Sequence, residues 1–369
     1  MNLEILSISA ANAALIGTGS VVGLAAAAFG LRRLIQMGQF SYHNARLSTA
    51  GNPYVRRENL TPLTEMGSPS EIAKSLLGPI RIKDSVSNFK DVDASLIGTF
   101  NSEMSSLSEG SPSIVRPLIS SFIARYESEE LKRVLRSVGK REEPLFPVGS
   151  IDGDLEKAIL SSADLKSSLE HLENHPAGEF ITESMNGEDL SLLGLDKALD
   201  RYALGKMADV KELPRYCRKG ARAISDLIHD RYNLGVIIQS KAMNVDREII
   251  ISSVKRNAGT IGSGALDQMI DSADVKEAVN VLSATHVEPF IKEQAKRGVT
   301  QIEIGLDRML LTGAIGLSTS YYGNVGPTIR YVIGKEMELK NLRMVFRAAY
   351  SDWDPSRTRD LLILEEEIT

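Results

Sequence analysis

Three helix starts written in one grammar constrain this chain more than any other feature. "SPSEIAKSLL" places Ser68 where an N-cap belongs, Pro69 at the first helical position and Glu71 three residues beyond the cap. A hydroxyl there satisfies a free backbone N–H, an acid favours the positive end of the helix dipole, and proline loses nothing where its missing N–H would be unpaired. The arrangement returns in "SSADLKSSLEHL", read with Ser161 as cap and Asp164 as acid, and in "DSADVKEAVNVL", read with Asp271 and Asp274. Apolar residues follow each acid at the next and fifth positions: Ile72 and Leu76, Leu165 and Leu169, Val275 and Val279. That spacing puts each pair on one helix face.

Two further landmarks keep step. "GLDKAL" (194–199) and "GLDRML" (305–310) lie 111 residues apart, against 110 for the second and third capping boxes. "EELKRVL" (129–135), "YNLGVII" (232–238) and "KNLRMVF" (340–346) place Leu131, Leu234 and Leu342 at intervals of 103 and 108. The period is far longer than the roughly 34 residues of a tetratricopeptide unit, so each copy is a small helical domain and not one layer of a solenoid. The expected fold is all-α: three similar helical domains, 39–148, 149–258 and 259–369, in a pseudo-threefold funnel. Short β-branched stretches such as "EIIISSV" (248–254) are ambiguous alone.

Residues 1–38 are different material. Ile5 to Leu31 carries no charged side chain, and a helix of that length at about 1.5 Å per residue exceeds a hydrocarbon core of about 30 Å. Arg32 and Arg33 follow at once, whereas Glu4 and the amino terminus flank the other side. A single N-terminal transmembrane helix is expected, in the cell membrane, with the large C-terminal part on the cytoplasmic side. A cleaved signal peptide calls for basic residues before the apolar run, and "MNLE" has none. Gly17, Gly19 and Gly23 lack the strand and βαβ frame of a dinucleotide loop; they permit close helix approach or simply keep the span thin.

With a net charge of −5 the chain lacks the basic field that nucleic-acid binding requires. One cysteine, Cys217, excludes an internal disulfide and a cysteine zinc cage, in keeping with a reducing compartment.

"YHNARL" (42–47), a capped helix about 25 residues on, three helical copies and a closing "EMELKNLRMVFRAAY" (336–350) together resemble the C subunit of archaeal A-type ATP synthases, the relative of the d subunit of V-type ATPases. The resemblance runs from Tyr42 to the C-terminus. It rests most on Tyr42, Asn44, Ala45 and Arg46 at one end and on Glu338, Asn341, Leu342 and Arg343 at the other. It implies an all-helical funnel that seats on the membrane rotor ring of proteolipid subunits and receives the central shaft, made of D- and F-type subunits. It implies as well a coupling part without catalysis of its own and without a cofactor. The chain departs from the pattern in two places: copies one and two read Glu130-Leu131-Lys132 and Asn233-Leu234-Gly235 where copy three has Asn341-Leu342-Arg343, and many members lack the membrane helix.

In the closing helix Leu339, Leu342, Phe346 and Ala349 form a core stripe, with Lys340, Arg343 and Arg347 beside it. Asn341 and Arg343 are expected to bond neighbouring helices or to be solvated. Asp354 and Pro355 begin a last helix, before an acidic "EEEIT". "HLENH" sets His171 and His175 four apart, as a zinc pair would be, without a nearby third ligand or the glutamate of an H-E-x-x-H site. "GTIGSG" (259–264) lacks the Lys-Ser/Thr of a phosphate loop and reads as a flexible connector. "SEMSSLSEGSPS" (102–113) has linker composition and is expected to join helices within copy one. The leading expectation is a rotor-coupling subunit with partners in the ring, the shaft and, through residues 5–31, membrane lipid. The alternatives are a single-pass, membrane-anchored helical scaffold that docks soluble partners and a helical hydrolase using the histidine pair.

Overall fold

The computed structural model describes residues 30, 31, 34, 35, 38–76, 80, 82, 88–140, 151–185, 191–209 and 211–365, and every regular element among them is helical. Eight helices carry the argument: α1 (38–50), α2 (Phe89–Glu109), α3 (Arg116–Lys140), α4 (Leu192–Ala208), α5 (Arg215–Ala242), α6 (Val299–Ser320), α7 (Gly326–Tyr350) and α8 (Pro355–Asp360). Residues 30, 31, 34 and 35, ahead of α1, are also helical. Among the described residues no helix is long and apolar enough to cross a membrane. The expected span, with Arg32 and Arg33, lies outside them except for Gly30 and Leu31.

The second and third expected copies share an order of short helices. Short helices begin at Gly153, Leu165 and Gly178 and again at Ser263, Val275 and Glu288. Each set leads into a long helix, then a turn, then a longer one. Their caps correct two of the three expected boxes by one turn. Asp164 and Asp274 are themselves the N-caps, accepting from the N–H groups of Ser167 and Glu277, so Ser161 and Asp271 lie outside these helices. Ser68 is the cap ahead of Pro69, as expected, although its side chain accepts no capping hydrogen bond. Asp354 caps α8 by accepting from Ser356 N–H.

One composition-based reading also changes, and one ambiguous stretch is resolved. Residues 102–109, expected in a linker, finish α2, because Met104 and Leu107 are three apart and both buried. The "EIIISSV" stretch lies in helix Arg247–Ser253 and its loop.

Each copy ends on a pair of long helices, α2–α3, α4–α5 and α6–α7. The closing helix of one copy packs on the opening helix of the next: α3 on α4, α5 on α6, and α7 back on α2. The apolar core follows this pattern. The central cluster takes Val115 to Phe122, Leu213 to Ile228 and Val325 to Met337 from the first halves of the closing helices. The second halves lead into three outer clusters, where Leu131, Leu234 and Leu342 are buried at equivalent places. The capping-helix pairs join the same clusters: Leu165 and Leu169 with Leu131, Val275 and Val279 with Leu234, and Ile72 and Leu76 with Leu342. Each outer cluster therefore spans the end of one copy and the start of the next, and full burial of such a side chain contributes about 1.5–3 kcal/mol.

Helix α1 crosses the end where the three hairpins turn. Phe40 is buried and meets Tyr216 edge-on, with ring centres 6.3 Å apart. A Cβ added at Gly110 would strike the Arg46 guanidinium. Asn44 Nδ2 donates to the carbonyls of Tyr322 and Asn324 at 2.6 and 3.1 Å. One helix thus touches the turn region of all three copies.

Candidate functional site

The closing helices carry two copy-related rows of polar groups, all buried but the half-buried Glu127. The first is Glu130, Asn233 and Asn341, each just before the landmark leucine of its copy. Ile151 N–H donates to Glu130 Oε2 at 2.9 Å. Lys255 N–H donates to Asn233 Oδ1 at 2.8 Å, and Asn233 Nδ2 returns a bond to the Lys255 carbonyl at 3.0 Å. Ile363 N–H donates to Asn341 Oδ1 at 2.7 Å, while Asn341 Nδ2 reaches the carbonyls of Ile363 and Tyr54 at 2.7 and 2.8 Å. Each side chain clamps a backbone segment 21 or 22 residues downstream.

The second row is Glu127, Asp230 and Glu338. Asp230 accepts from Thr260 and Ile261 N–H, at 2.9 and 3.0 Å, and from the Thr260 hydroxyl. The connector 259–264 is therefore pinned by a buried carboxylate. Gly259 fits there because its φ is +92° and a Cβ would fall 2.2 Å from Asp230 Oδ1. Glu338 Oε1 accepts from Tyr54 N–H at 2.8 Å, and Glu127 accepts from the Tyr202 hydroxyl at 3.3 Å. At the junction of copies three and one, segments 54–55 and 363–365 meet, with Glu365 N–H donating to Val55 O at 2.8 Å. Two lengths of chain there receive what the single connector 255–261 receives between copies two and three.

Each junction also carries an arginine–aspartate pair. Arg136 meets Asp196, Arg231 meets Asp307 and Arg343 meets Asp93, the last through two bonds of 2.5 and 2.9 Å. Relative to Leu131, Leu234 and Leu342 the arginines stand at +5, −3 and +1, successive turns of one helix face. Asp93 is fully buried.

A polar cleft of about 330 Å³ lies where the closing helices come together. Arg125, Ile228 and Glu336 line it from one helix position of the three copies, and Glu129, Tyr232 and Lys340 from another. Glu336 accepts from Arg125 and from the Tyr126 hydroxyl, both at 3.2 Å, and pairs with Lys340 at 3.3 Å. Lys340 also reaches Asp307 at 3.0 Å. Burial alone would raise the Glu336 carboxyl, but Arg125, Lys340 and Arg231 outweigh it and bring it to about 2. Tyr232 donates to Asp200 at 3.1 Å, and Lys132 pairs with the same carboxylate. These acids are bonded to cations or phenols, so the arrangement fixes helices relative to one another.

The residues singled out from sequence divide between the two ends. Glu338, Asn341, Leu342 and Arg343 all face copy one across the α7–α2 junction. Asn44 holds α1 to the third hairpin turn, and Arg46 lies against Gly110. Tyr42 is 78% exposed. Leu342 and Phe346 are buried and Leu339 and Ala349 partly so, in keeping with the core stripe. His171 and His175 do not share a helix face: the helix ends at Glu170, and His175 Nδ1 accepts from Ala177 N–H beside the Tyr202 ring. Among the described residues no group of three His, Cys, Asp or Glu side chains is placed to hold a metal. Burial pushes the Cys217 thiol up to about 12, outside the range of a reactive thiolate. Sequence reasoning missed His43, which shares a 2.9 Å hydrogen bond with Thr328 Oγ1, as well as Arg125, Asp93 and Asp307.

The model of a family described as "ATP synthase (C/AC39) subunit" matches residues 43–361. The chain is similar to the A-type ATP synthase C subunit of Methanocaldococcus jannaschii, at 22% identity over 90% of this chain and 88% of the relative. It is similar as well to those of Methanosphaera stadtmanae, at 21% over 91% of each, and Thermococcus onnurineus, at 24% over 88% and 90%.

Proposed function

We propose, from the premise that the chain belongs to the ATP synthase (C/AC39) subunit family, that it couples the central shaft of an A-type ATP synthase to the membrane rotor ring. In this reading the three copies, 39–148, 149–258 and 259–369, form a pseudo-threefold funnel. The observation that carries it is the circuit of packing, in which each closing helix meets the next copy's opening helix and α7 returns to α2. Equivalent side chains of the three copies surround the cleft at its centre. Torque transmission asks for a stiff body with broad contacts and no bond-making group. Buried clamps and ion pairs at every junction supply that stiffness, and ATP chemistry belongs to other subunits.

Glu338, Asn341, Leu342 and Arg343 are closure residues in this reading, and Asn44 and Arg46 seat α1. Residues 5–31, flanked by Arg32 and Arg33, form a single membrane helix that enters the central pore of the ring, leaving the rest on the cytoplasmic side. The motive is position: α1, which follows the run, lies across all three hairpin turns.

Purification of the tagged full chain in mild detergent tests the coupling role. Co-isolation of a ring proteolipid and D- and F-type shaft proteins is expected; a membrane scaffold would bring neither, and their absence from an otherwise intact preparation overturns the reading. In an image of the assembly, an empty ring pore or an extra helix outside the ring refutes the placement of residues 5–31.

A further inference from the structure

The turn that joins α4 to α5 carries a charge that the other two turns lack. Over residues 206–222 it holds six cations, Lys206, Lys211, Arg215, Arg218, Lys219 and Arg222, against two acids, Asp209 and Glu212, a net +4 in a chain whose total is −5. All six are exposed, and among the described residues none has a carboxylate within 4.0 Å. Asp226, one turn beyond Arg222, feels that cation only at longer range. Arg116 and Arg218 align the first two turns, because each guanidinium folds back onto the carbonyls five and seven residues earlier. In that register the turn of copy one, 104–120, holds Glu109 and Arg116 as its charged residues. The turn of copy three, 314–330, holds Arg330, which pairs with Glu365 at 2.6 Å.

The cations stand where α5 accommodates them least. Pro214 is its N-cap, with no side-chain capping hydrogen bond, and its first turn has no acid. Arg215 and Arg218 therefore lie at the positive end of the helix dipole. Arg215, Lys219 and Arg222, at i, i+4 and i+7, also set like charges side by side on one exposed face. Both arrangements lower the stability of the free chain. Surface charges that cost stability without an internal partner are accounted for by a contact outside the chain.

We propose that the basic turn of copy two docks on carboxylates of the ring's proteolipid subunits. This rests on the coupling reading, in which α1 and the membrane run turn the hairpin end of the body towards the ring, and it deepens that reading by naming the chemistry of the contact. Unpaired lysines and arginines on one surface call for acidic side chains on the other. A ring of identical subunits presents the same acids wherever the turn lands. A contact made by one copy in three thus needs no match between the pseudo-threefold body and the symmetry of the ring.

The test compares the full chain with a charge-reversed variant, Arg215→Glu, Lys219→Glu and Arg222→Glu together, each titrated onto the purified proteolipid ring in mild detergent. The three positions are exposed, and the new acids suit the helix dipole, so the variant is expected to unfold at the same or a higher temperature. A lost contact is then not lost folding. Turning three exposed attractions into repulsions is expected to raise the Kd for the ring about tenfold or more. Raising sodium chloride from about 50 to about 300 mM should weaken the unaltered chain and leave the variant nearly unchanged. In the complex, carbodiimide, which joins amines to carboxylates in direct contact, is expected to link Lys206, Lys211 or Lys219 to an acidic residue of the proteolipid. Equal ring affinity of the two proteins overturns the proposal, as do links from these lysines to shaft proteins alone. A variant that keeps its ring affinity yet no longer binds vesicles of phosphatidylcholine and phosphatidylglycerol assigns the turn to lipid headgroups and overturns it too. An unaltered chain that binds neither ring nor shaft overturns the coupling reading and this contact with it, whereas a ring held equally well by both proteins removes the docking turn alone.

Discussion

Replacing Asn341 by alanine tests whether the junction between copies three and one is a true closure. Asn341 is 1% exposed and makes three hydrogen bonds, two donated to the carbonyls of Tyr54 and Ile363 and one accepted from Ile363 N–H. Removal strands three buried backbone groups. At about 1–3 kcal/mol for each unsatisfied group, less what entering water recovers, the expected loss is about 3–5 kcal/mol. Asn233→Ala is the internal comparison, because it severs two bonds to one residue on the same stretch of chain, for an expected loss of about 2–3 kcal/mol. Urea unfolding gives the totals, and hydrogen exchange at Ile363 and Lys255, whose N–H groups donate to Asn341 and Asn233, shows where protection is lost. In Asn341→Ala the Ile363 amide should exchange faster while Lys255 stays protected; in Asn233→Ala the reverse. A loss below about 1 kcal/mol, or unchanged protection at Ile363, refutes the closure argument.

Four further outcomes follow from the geometry. Glu336→Gln leaves Arg125 and Lys340 without their shared buried carboxylate and is expected to lower stability by about 3–5 kcal/mol in thermal or urea unfolding. Burial, then nearby Arg46, brings His43 down to about 4 from 6.5, so its neutral form contributes stability that is complete above pH 6.5 and lost as the pH falls to 4. An acid titration should thus show a loss of about 2–3 kcal/mol over that window, absent in His43→Gln, and a second loss between pH 4.5 and 2 as Glu336 protonates. Gly334→Ala would place a Cβ 2.3 Å from Asn52 Cγ and should cost about 1–3 kcal/mol, measurable as a lower Tm. Gly98→Ala, where a Cβ meets nothing within 4 Å, should instead gain about 0.5–1 kcal/mol from helix propensity.

The landmark leucines were legible because they lie on core-facing positions, where burial restricts the side chain. Leu131, Leu234 and Leu342 each sit in a separate outer cluster. Helix starts were less legible where Ser and Asp crowd together: Ser161 with Asp164, and Asp271 with Asp274, offer two candidate caps one turn apart, and only downstream hydrogen bonding chooses. The serine-rich end of α2 shows composition misleading where the spacing of Met104 and Leu107 was the better guide. Asp93 and Asp307 could not be assigned partners from sequence, because Arg343 lies 250 residues from one and Arg231 lies 76 from the other. The cleft positions, however, were within reach. Carrying the leucine register back six residues gives Arg125, Ile228 and Glu336, the residues that meet there.

The junction where segments 54–55 and 363–365 lie side by side has a mechanical meaning. A tube slit along its length resists twisting far less than the same tube with its edges joined, since shear flow can no longer run around the wall. A folded chain cannot weld its own edges, so in the proposed funnel the bond that Glu338 accepts from Tyr54, those of Asn341, the Arg343–Asp93 pair and the Glu365–Val55 bond act as the weld. Weakening them should soften the body in torsion well before it unfolds.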